Sequence, residues 1–446
     1  MDPAASSNPV ARVTTSGQGG SSGMPSPPAQ APDEIRALNR LAFEEVGRFI
    51  SGIGGFQRGP AERAFRAVGW GAKPTELIYT KVTNAVYAGL RGATAAVGSA
   101  ADRALGRRPI DQGRRLSANP AGSFAIAVLD GLIGDALEEQ QSALAEPMSV
   151  RVDGRVVEPE PDALAQAFPQ ATPRLVVFVH GLMGTELGWK WFGGPAKESY
   201  GDRLVEDLAV TPVFIRYNTG RHISQNGRSL CELLEQVVGA WPVDVEQIAL
   251  VGHSMGGLVS RSAAYCGVED GAEWVRRVRH VVSLGTPHMG APMAQAVHYA
   301  TAGLCALPET RPLGDFLRRR SGGIRDLHQG SLVDEDWRDC DPDALRVAAC
   351  REVPLLDGAT HHFVAATVTR SAKHPLGRLV GDWLVLEPSA SGRSRSRRIP
   401  FRVEDGMHLG ATNHIALLNH PAVYERLRQW LAKPPALAAL PAATWP

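Results

Sequence analysis

The chain has 446 residues, which is enough for two or three domains and a large hydrophobic core. Its formal net charge is only +1, so no long-range field favours a polyanion and we expect no nucleic-acid partner. The five cysteines are widely spaced, which is typical of reduced thiols and not of a disulfide framework. No secretory signal and no run of about 18 uncharged apolar residues occurs, so the sequence predicts a cytoplasmic protein.

The amino-terminal part divides into a polar tail and a helical region. Residues 1–32 are rich in Ser, Gly, Pro and Ala. Such a segment buries too little apolar surface to offset its ordering entropy, so we predict a disordered tail. Residues 33–147 carry apolar side chains at three- and four-residue steps, which predicts a set of helices. No pattern in this region indicates chemistry, and we expect it to be separable from the rest of the chain.

The last predicted helix of this region, near Ser123–Leu144, is apolar on nearly every face. Asp130 and Asp135 interrupt it, and the helix is too short and too charged to cross a bilayer. Buried packing against the rest of the protein is one interpretation. The other is a peripheral membrane contact made by the N-terminal helices, which leaves membrane association open.

Strands and helices alternate from residue 148 to about residue 434, which is the pattern of a mostly parallel sheet with helices on both faces. A hairpin turn at Asp153-Gly154 is expected to open this domain with antiparallel edge strands. The other strands are expected near Leu175–His180, Val213–Tyr217, Ile248–Gly252, Val278–Leu284 and His362–Val368, with a last strand at Arg398–Val403. Helices are expected near Tyr200–Leu208, Gly227–Ala240, Met255–Cys266 and Val423–Leu431. Residues 435–446 form a tail.

A nucleophile motif lies between one of these strands and the helix that follows it. Gly252-His253-Ser254-Met255-Gly256 matches G-x-S-x-G. In that context the turn holds its middle residue in a strained conformation and exposes the hydroxyl beyond the sheet. Ser254 is therefore the candidate nucleophile, and the Met255 amide at the start of the helix is a candidate oxyanion donor.

A second oxyanion donor is expected where the strand near Leu175–His180 ends in His180-Gly181. The amide that follows, that of Leu182, lies on the same rim of the sheet and is the first candidate for this role. The Met183 amide is the alternate.

The general base is expected late in the chain, since nucleophile, acid and base follow in that order in the fold that carries this elbow. His414 lies between the predicted last strand and the strong terminal helix, which makes it the candidate base. His408 and His420 are its rivals.

The acid is expected in the loop after the strand near His362–Val368. Asp382 is the first carboxylate after that strand and is the candidate for orienting the imidazole. Asp405 comes nearer to His414 in the sequence and stays an alternative, although Asp405-Gly406 is also a turn signal.

Five motifs occur in one order along the chain: V-H-G-L-M-G, G-H-S-M-G-G, L-G-T-P-H-M-G-A-P, G-D-W-L-V and N-H-I-A-L-L-N-H-P-A-V-Y. Together they resemble the α/β-hydrolase superfamily, and within it the lipase-like esterases grouped with the GPI inositol-deacylase-like hydrolases. The likeness covers about Leu175–Leu431. It implies an α/β-hydrolase fold and ester hydrolysis without a metal or cofactor, with Ser254, Asp382 and His414 at the triad positions.

The alternation breaks between residues 290 and 353, where an insertion is expected to form a cap over the site. Its apolar side chains either contact an acyl chain or serve as structural cover; they are Leu304, Leu313 and Trp337. A second apolar group either lines an acyl pocket or packs in the core; it consists of Trp189, Trp191 and Phe192.

The expected activity is hydrolysis of a small-molecule or lipid carboxylic ester through an acyl-enzyme on Ser254. Two alternatives stay open. The same residues could transfer the acyl group to an alcohol, or the chain could bind lipid with an idle hydrolase domain. The sequence indicates neither the ester, nor the acyl length, nor the oligomeric state.

Overall fold

The structure is a computed structural model that describes residues 120–190, 198–292, 320–342, 350–394 and 397–432. Glu34, Ser117 and several single positions between 294 and 344 are also described. Both predicted tails, most of the helical region before residue 120 and much of the predicted cap lie outside the described residues.

The described part of the chain is built on one eight-stranded sheet with the order β2-β1-β4-β3-β5-β6-β7-β8. Strands β1 and β2 form an antiparallel hairpin, β1 pairs antiparallel with β4, and every other pair is parallel. The strands are β1 Ser149–Val152, β2 Arg155–Val157, β3 Arg174–Val179, β4 Thr211–Arg216, β5 Gln247–His253, β6 Val278–Leu284, β7 Thr360–Ala366 and β8 Gly406–Leu409. This is the α/β-hydrolase fold that the motifs predicted.

Helices cover both faces of the sheet. Their bounds are α1 Pro120–Glu139, α2 Pro161–Ala167, α3 Tyr200–Leu208, α4 Ile223–Ala240, α5 Met255–Glu269, α6 Gly322–Asp326, α7 Pro375–Val380, α8 Glu387–Ala390 and α9 Pro421–Ala432. Alternate residues of β3 join different clusters: Val177 packs with α4 and α5, whereas Phe178 packs with α3 and α9. Burial on both faces explains why β3 is apolar from Leu175 to Val179 and does not alternate.

The edge hairpin forms at the predicted turn. Asp153 and Gly154 both have positive φ angles, 47° and 78°, as the tight turn of a two-residue hairpin requires. The turn residues therefore set the register in which Val152 pairs with Arg155.

The predicted last strand was wrong. Residues 398–403 contribute only an isolated bridge between Arg398 and Arg393, and the chain then makes a short 3₁₀ turn before β8. Pro400 lacks the N–H that a ladder needs, and Val403 is 80% exposed, so this run forms no ladder, although the Phe401 ring lies 5.4 Å from that of Phe363 on β7. Asp405-Gly406 thus opens the last strand; it does not close one.

Helix α1 packs against the carboxyl edge of the sheet, which is the buried-packing interpretation of this segment. The Gly134 carbonyl accepts from Asn218 Nδ2 at 2.8 Å, and the Gly131 carbonyl accepts from Ser321 Oγ at 2.6 Å. Asp135 accepts from the Gly322 amide at 2.8 Å. These bonds join residues 120–139 to the hydrolase domain across the predicted boundary at residue 148.

No helix in the described parts of the chain has the length and apolar character needed to cross a membrane.

Candidate active site

Ser254 stands between β5 and α5 in a conformation that few residues adopt. Its φ and ψ are 53° and −125°, and its side chain is half-buried. A Cβ on Gly256 would lie 2.2 Å from the Val179 carbonyl oxygen, so strand β3 and helix α5 approach closely only because that position is glycine. The strain at Ser254 is held in place by the packing around it, as is usual for functional residues in such regions.

His414 and Asp382 are brought together at the same edge of the sheet. His414 Nδ1 lies 2.7 Å from Asp382 Oδ2, and both side chains are almost fully buried. A second bond joins the two residues, since the His414 amide donates to the Asp382 carbonyl at 3.0 Å. With Nδ1–H donating to the carboxylate, the Nε2 lone pair is the free acceptor of the ring.

The Asp382 carboxylate is held by a tight turn after α7. Its Oδ1 accepts from the Leu384 amide at 3.0 Å and from the Val385 amide at 2.8 Å. Gly381 and Trp383, on either side, have positive φ angles of 63° and 86°. The turn thus supplies donors to one carboxylate oxygen and leaves the other for His414.

Ser254 is linked to this pair through its neighbours. The Ser254 amide donates to the Leu284 carbonyl at 2.8 Å, and the residue after Leu284 is Gly285. A Cβ on Gly285 would lie 3.1 Å from His414 Cε1, so the imidazole passes directly over that backbone. Ser254 therefore follows the carboxyl end of β5, and Gly285, which contacts the His414 ring, follows the carboxyl end of β6.

His253 is a contributor that motif reasoning missed. Its Nε2 lies 3.1 Å from the His414 carbonyl oxygen, and the two rings are 4.7 Å apart. Burial, and then the nearby His414, lower the pKa of His253 to about 3, so the ring is neutral and its Nε2–H can donate to that carbonyl. His253 occupies an x position of the motif, which in sequence gives no sign of this contact.

The loop after β3 distinguishes the two candidates for the second oxyanion donor. The Met183 amide donates to Thr219 Oγ1 at 3.2 Å, and Met183 has a positive φ of 56°. This bond engages the Met183 amide and keeps Leu182 as the candidate. Burial lowers the pKa of His180, at the start of this loop, to about 4, and the ring stacks on Tyr217.

The alternative acid, Asp405, and the alternative bases, His408 and His420, contact other residues. Asp405 Oδ1 is 3.6 Å from His362 Nδ1, at the amino end of β8. His408 Nε2 contacts Thr367 Oγ1 at 3.0 Å. His420 Nδ1 accepts from the Ala422 amide at the start of α9. None of these contacts is with Ser254 or Asp382.

The aromatic residues expected near an acyl chain are placed differently. Trp189 is fully buried between Phe178 and Tyr200 and belongs to the core. Trp337 stacks on His222 at 3.7 Å and donates to Ser224 at the start of α4. The other members of both predicted groups lie outside the described residues.

A separate group of potential metal ligands lies away from this site. Among the described residues, Cys231, Cys266 and Asp270 place ligand atoms within 4.8 Å of one another. Cys266 is twelve residues beyond Ser254 along α5, which is about 18 Å of helix at 1.5 Å per residue. These residues therefore do not contribute to the site around Ser254.

Comparison with known proteins agrees with the motifs. Residues 170–301 match a family model described as the PGAP1-like alpha/beta domain. The match spans β3 to the residues after β6 and includes the Ser254 elbow, and it confirms the resemblance to lipase-like α/β hydrolases. No curated protein sequence matches the chain.

Several solved structures resemble this chain at low identity. The propeptide form of the Bacillus licheniformis lipase BlEst2 is 21% identical with a TM-score of 0.39, over 58% of this chain and 50% of that chain. The RedJ thioesterase from Streptomyces coelicolor is 20% identical with a TM-score of 0.31, over 59% and 91%. An esterase from Pyrobaculum calidifontis is 12% identical with a TM-score of 0.33, over 58% and 74%. The chain thus spans about half the length of the propeptide lipase.

Proposed function

We propose that this protein is a serine hydrolase that cleaves carboxylic esters through an acyl-enzyme on Ser254. The observation that carries the proposal is the buried 2.7 Å contact between His414 and Asp382, on the same edge of the sheet as a strained Ser254. Nucleophile, base and orienting acid in this arrangement recur in unrelated acyl-transfer enzymes. The PGAP1-like match is consistent with it.

Each residue has a defined part in the proposed reaction. His414 Nε2 takes the proton of the Ser254 hydroxyl as Oγ attacks the ester carbonyl, and returns it to the departing alcohol. Asp382 keeps the Nδ1–H tautomer and stabilises the imidazolium that forms. Water then attacks the acyl-enzyme by the same route and regenerates the serine.

The negative charge of the tetrahedral intermediate is assigned to two backbone amides. The Met255 amide lies at the N-terminus of α5, where unpaired N–H groups and the helix dipole favour an anion. The Leu182 amide is the second donor, because the neighbouring Met183 amide is bonded to Thr219. The substrate class is a small-molecule or lipid ester.

Labelling with a fluorophosphonate probe tests the nucleophile. We expect one adduct, on the peptide that contains Ser254, and its loss in Ser254→Ala together with at least about a 10³-fold loss of p-nitrophenyl ester turnover. Ser260→Ala is the matched control, since Ser260 lies on the same helix and donates to the Gly256 carbonyl. A Ser254→Ala protein that keeps turnover within a few-fold of wild type contradicts the proposal.

A further inference from the structure

Among the described residues, eleven large apolar side chains are exposed, and several of them lie next to the candidate acid in the chain. Single exposed apolar side chains are normal on any protein, but clusters are not. Four of them fall within residues 376–384: Leu376, Leu379, Trp383 and Leu384, with 50%, 76%, 60% and 38% of their surface exposed. We refer to these four side chains as the apolar rim.

The apolar rim is fixed to the active-site edge of the sheet. Asp382, between its members, is 1% exposed and bonded to His414. The loop that carries the rim is closed at its base, where the Val368 amide donates to the Gly381 carbonyl at 2.9 Å. It is also tied to the chain after β8, since the Ala411 amide donates to the Thr369 carbonyl at 2.9 Å. The rim therefore cannot withdraw without disturbing the acid.

The exposed charges within residues 370–384 have one sign. Arg370, Lys373 and Arg378 are exposed in the same loop. Between residues 370 and 384, all of which are described, the only acidic residue is Asp382, whose carboxylate is buried. A surface that combines exposed Leu and Trp with cations, and with no exposed acid in the same described segment, complements the headgroups and the acyl boundary of an anionic bilayer.

We propose that the apolar rim and its three cations form the surface by which this protein docks on an anionic phospholipid membrane, with the active-site edge facing the lipid. Trp383 and the leucines enter the boundary between headgroups and acyl chains, where amphipathic aromatic rings are favoured. The cations contact lipid phosphates. A protein partner fits less well, since a stable protein interface takes about 800 Å² per partner and four side chains expose less.

Docking here specifies how the substrate arrives and so deepens the proposed ester hydrolysis. An ester in the membrane meets the site at the edge that carries His414 and Asp382, without first leaving the lipid phase. The binding itself does not depend on catalysis, so the two proposals can fail separately.

Co-sedimentation of the full chain with vesicles tests the proposal. We expect binding to vesicles of phosphatidylcholine with added phosphatidylglycerol, weak binding to phosphatidylcholine alone, and weakening by salt. Lys373→Gln combined with Arg378→Gln should reduce affinity at least about tenfold, since each cation near an anionic surface accounts for about fivefold. Leu376→Ser combined with Leu379→Ser should also lose binding. Val403→Ser is the matched control, because Val403 is exposed near the amino end of β8.

The proposal is overturned if both double variants bind as wild type does, or if phosphatidylcholine alone binds as well. It is also overturned if wild type binds neither vesicle, as it would if another part of the chain covered the rim. Self-association abolished by the leucine substitutions would assign the rim to a second copy instead.

Turnover of a soluble p-nitrophenyl ester should be unchanged in both double variants. If wild type lacks that turnover yet binds anionic vesicles, the proposed reaction fails and the docking surface stands.

Discussion

At the scale of single residues, Asp382 illustrates how a carboxylate is held for one task. Two backbone amides occupy Oδ1 and His414 occupies Oδ2. An asparagine fits this turn, because its carbonyl oxygen still accepts from the two amides. Its NH₂ group would then face His414 Nδ1 and favour the wrong imidazole tautomer.

We therefore expect Asp382→Asn to fold normally and to lose up to about 10⁴-fold in kcat. Asp405→Asn, at the rival carboxylate beside His362, should change kcat by no more than a few-fold. The kcat values of the two variants are compared by steady-state kinetics on purified proteins, whose circular dichroism spectra should match that of wild type. If Asp405→Asn were the more damaging variant, the acid would be Asp405.

Thr219 is a second residue whose effect can be isolated. Its hydroxyl is buried and accepts from the Met183 amide, which shapes the loop that carries Leu182. Thr219→Val keeps the volume but leaves the partly buried Met183 amide without its acceptor, which costs about 1 kcal/mol. We expect kcat/KM to fall about tenfold through a displaced oxyanion loop. Thr219→Ser should restore it, and equal rates for the valine and serine variants would remove Thr219 from this role.

The sequence suggested candidates where the chemistry has a local signature, and it missed residues that act through distant contacts. Ser254, His414 and Asp382 were predicted from a motif, from chain order and from neighbouring strands, and the structure brings His414 and Asp382 into contact. The bond between His253 and His414 spans 161 residues, and the bond between Met183 and Thr219 spans 36. Neither pair has a spacing pattern, because each arises only when separate loops meet at one edge of the sheet.

At the scale of elements, helix α1 is the least expected part of the architecture. Its pattern predicted a helix, and the structure has one, kinked at Ile133. Its partners could not be predicted, because Asn218 lies in a loop, and Ser321 and Gly322 lie at the start of α6, which is too short to show a periodic pattern. The predicted last strand failed for a related reason: its apolar residues match a strand pattern but have no neighbour to pair with.

Removal of α1 should destabilise the hydrolase domain, contrary to the expectation that residues 33–147 are separable. Without α1, the Asn218 and Ser321 side chains lose hydrogen bonds that contribute about 0.5–1.5 kcal/mol each. We expect a chain that begins at residue 148 to show a lower melting temperature or to aggregate. A chain that lacks only residues 1–32 is the control and should melt as the full chain does. Equal melting temperatures for both shortened chains would contradict the structural role of α1.

At the scale of the whole molecule, buried histidines couple stability to pH. Burial is the first cause that lowers the pKa of His180 to about 4, of His253 to about 3 and of His361 to about 4. In the unfolded chain these groups titrate near 6.5. Between these values the unfolded chain binds more protons than the folded one, so stability is complete above about pH 6.5 and is lost as the pH falls.

We expect the free energy of unfolding to decrease by about 1.4 kcal/mol per pH unit for each of these histidines between pH 6 and the folded pKa. Urea denaturation at a series of pH values measures it. His361→Gln should flatten the profile, whereas His374→Gln, at an exposed histidine, should not. A constant free energy from pH 7 to pH 5 is the outcome that excludes this coupling.

The position of β7 and β8 at one end of the sheet has a practical consequence. The elbow of Ser254 is complete once β5 and α5 have formed, but its proposed base and acid arrive with the last third of the chain. A molecule whose final strands have not joined the sheet would keep an intact serine that does not react. The fraction of the protein that a fluorophosphonate labels therefore measures the fraction of molecules in which β7 and β8 have joined the sheet. A labelling gel could therefore compare expression conditions by the fraction of fully folded protein that each one gives, and not by the total amount of protein.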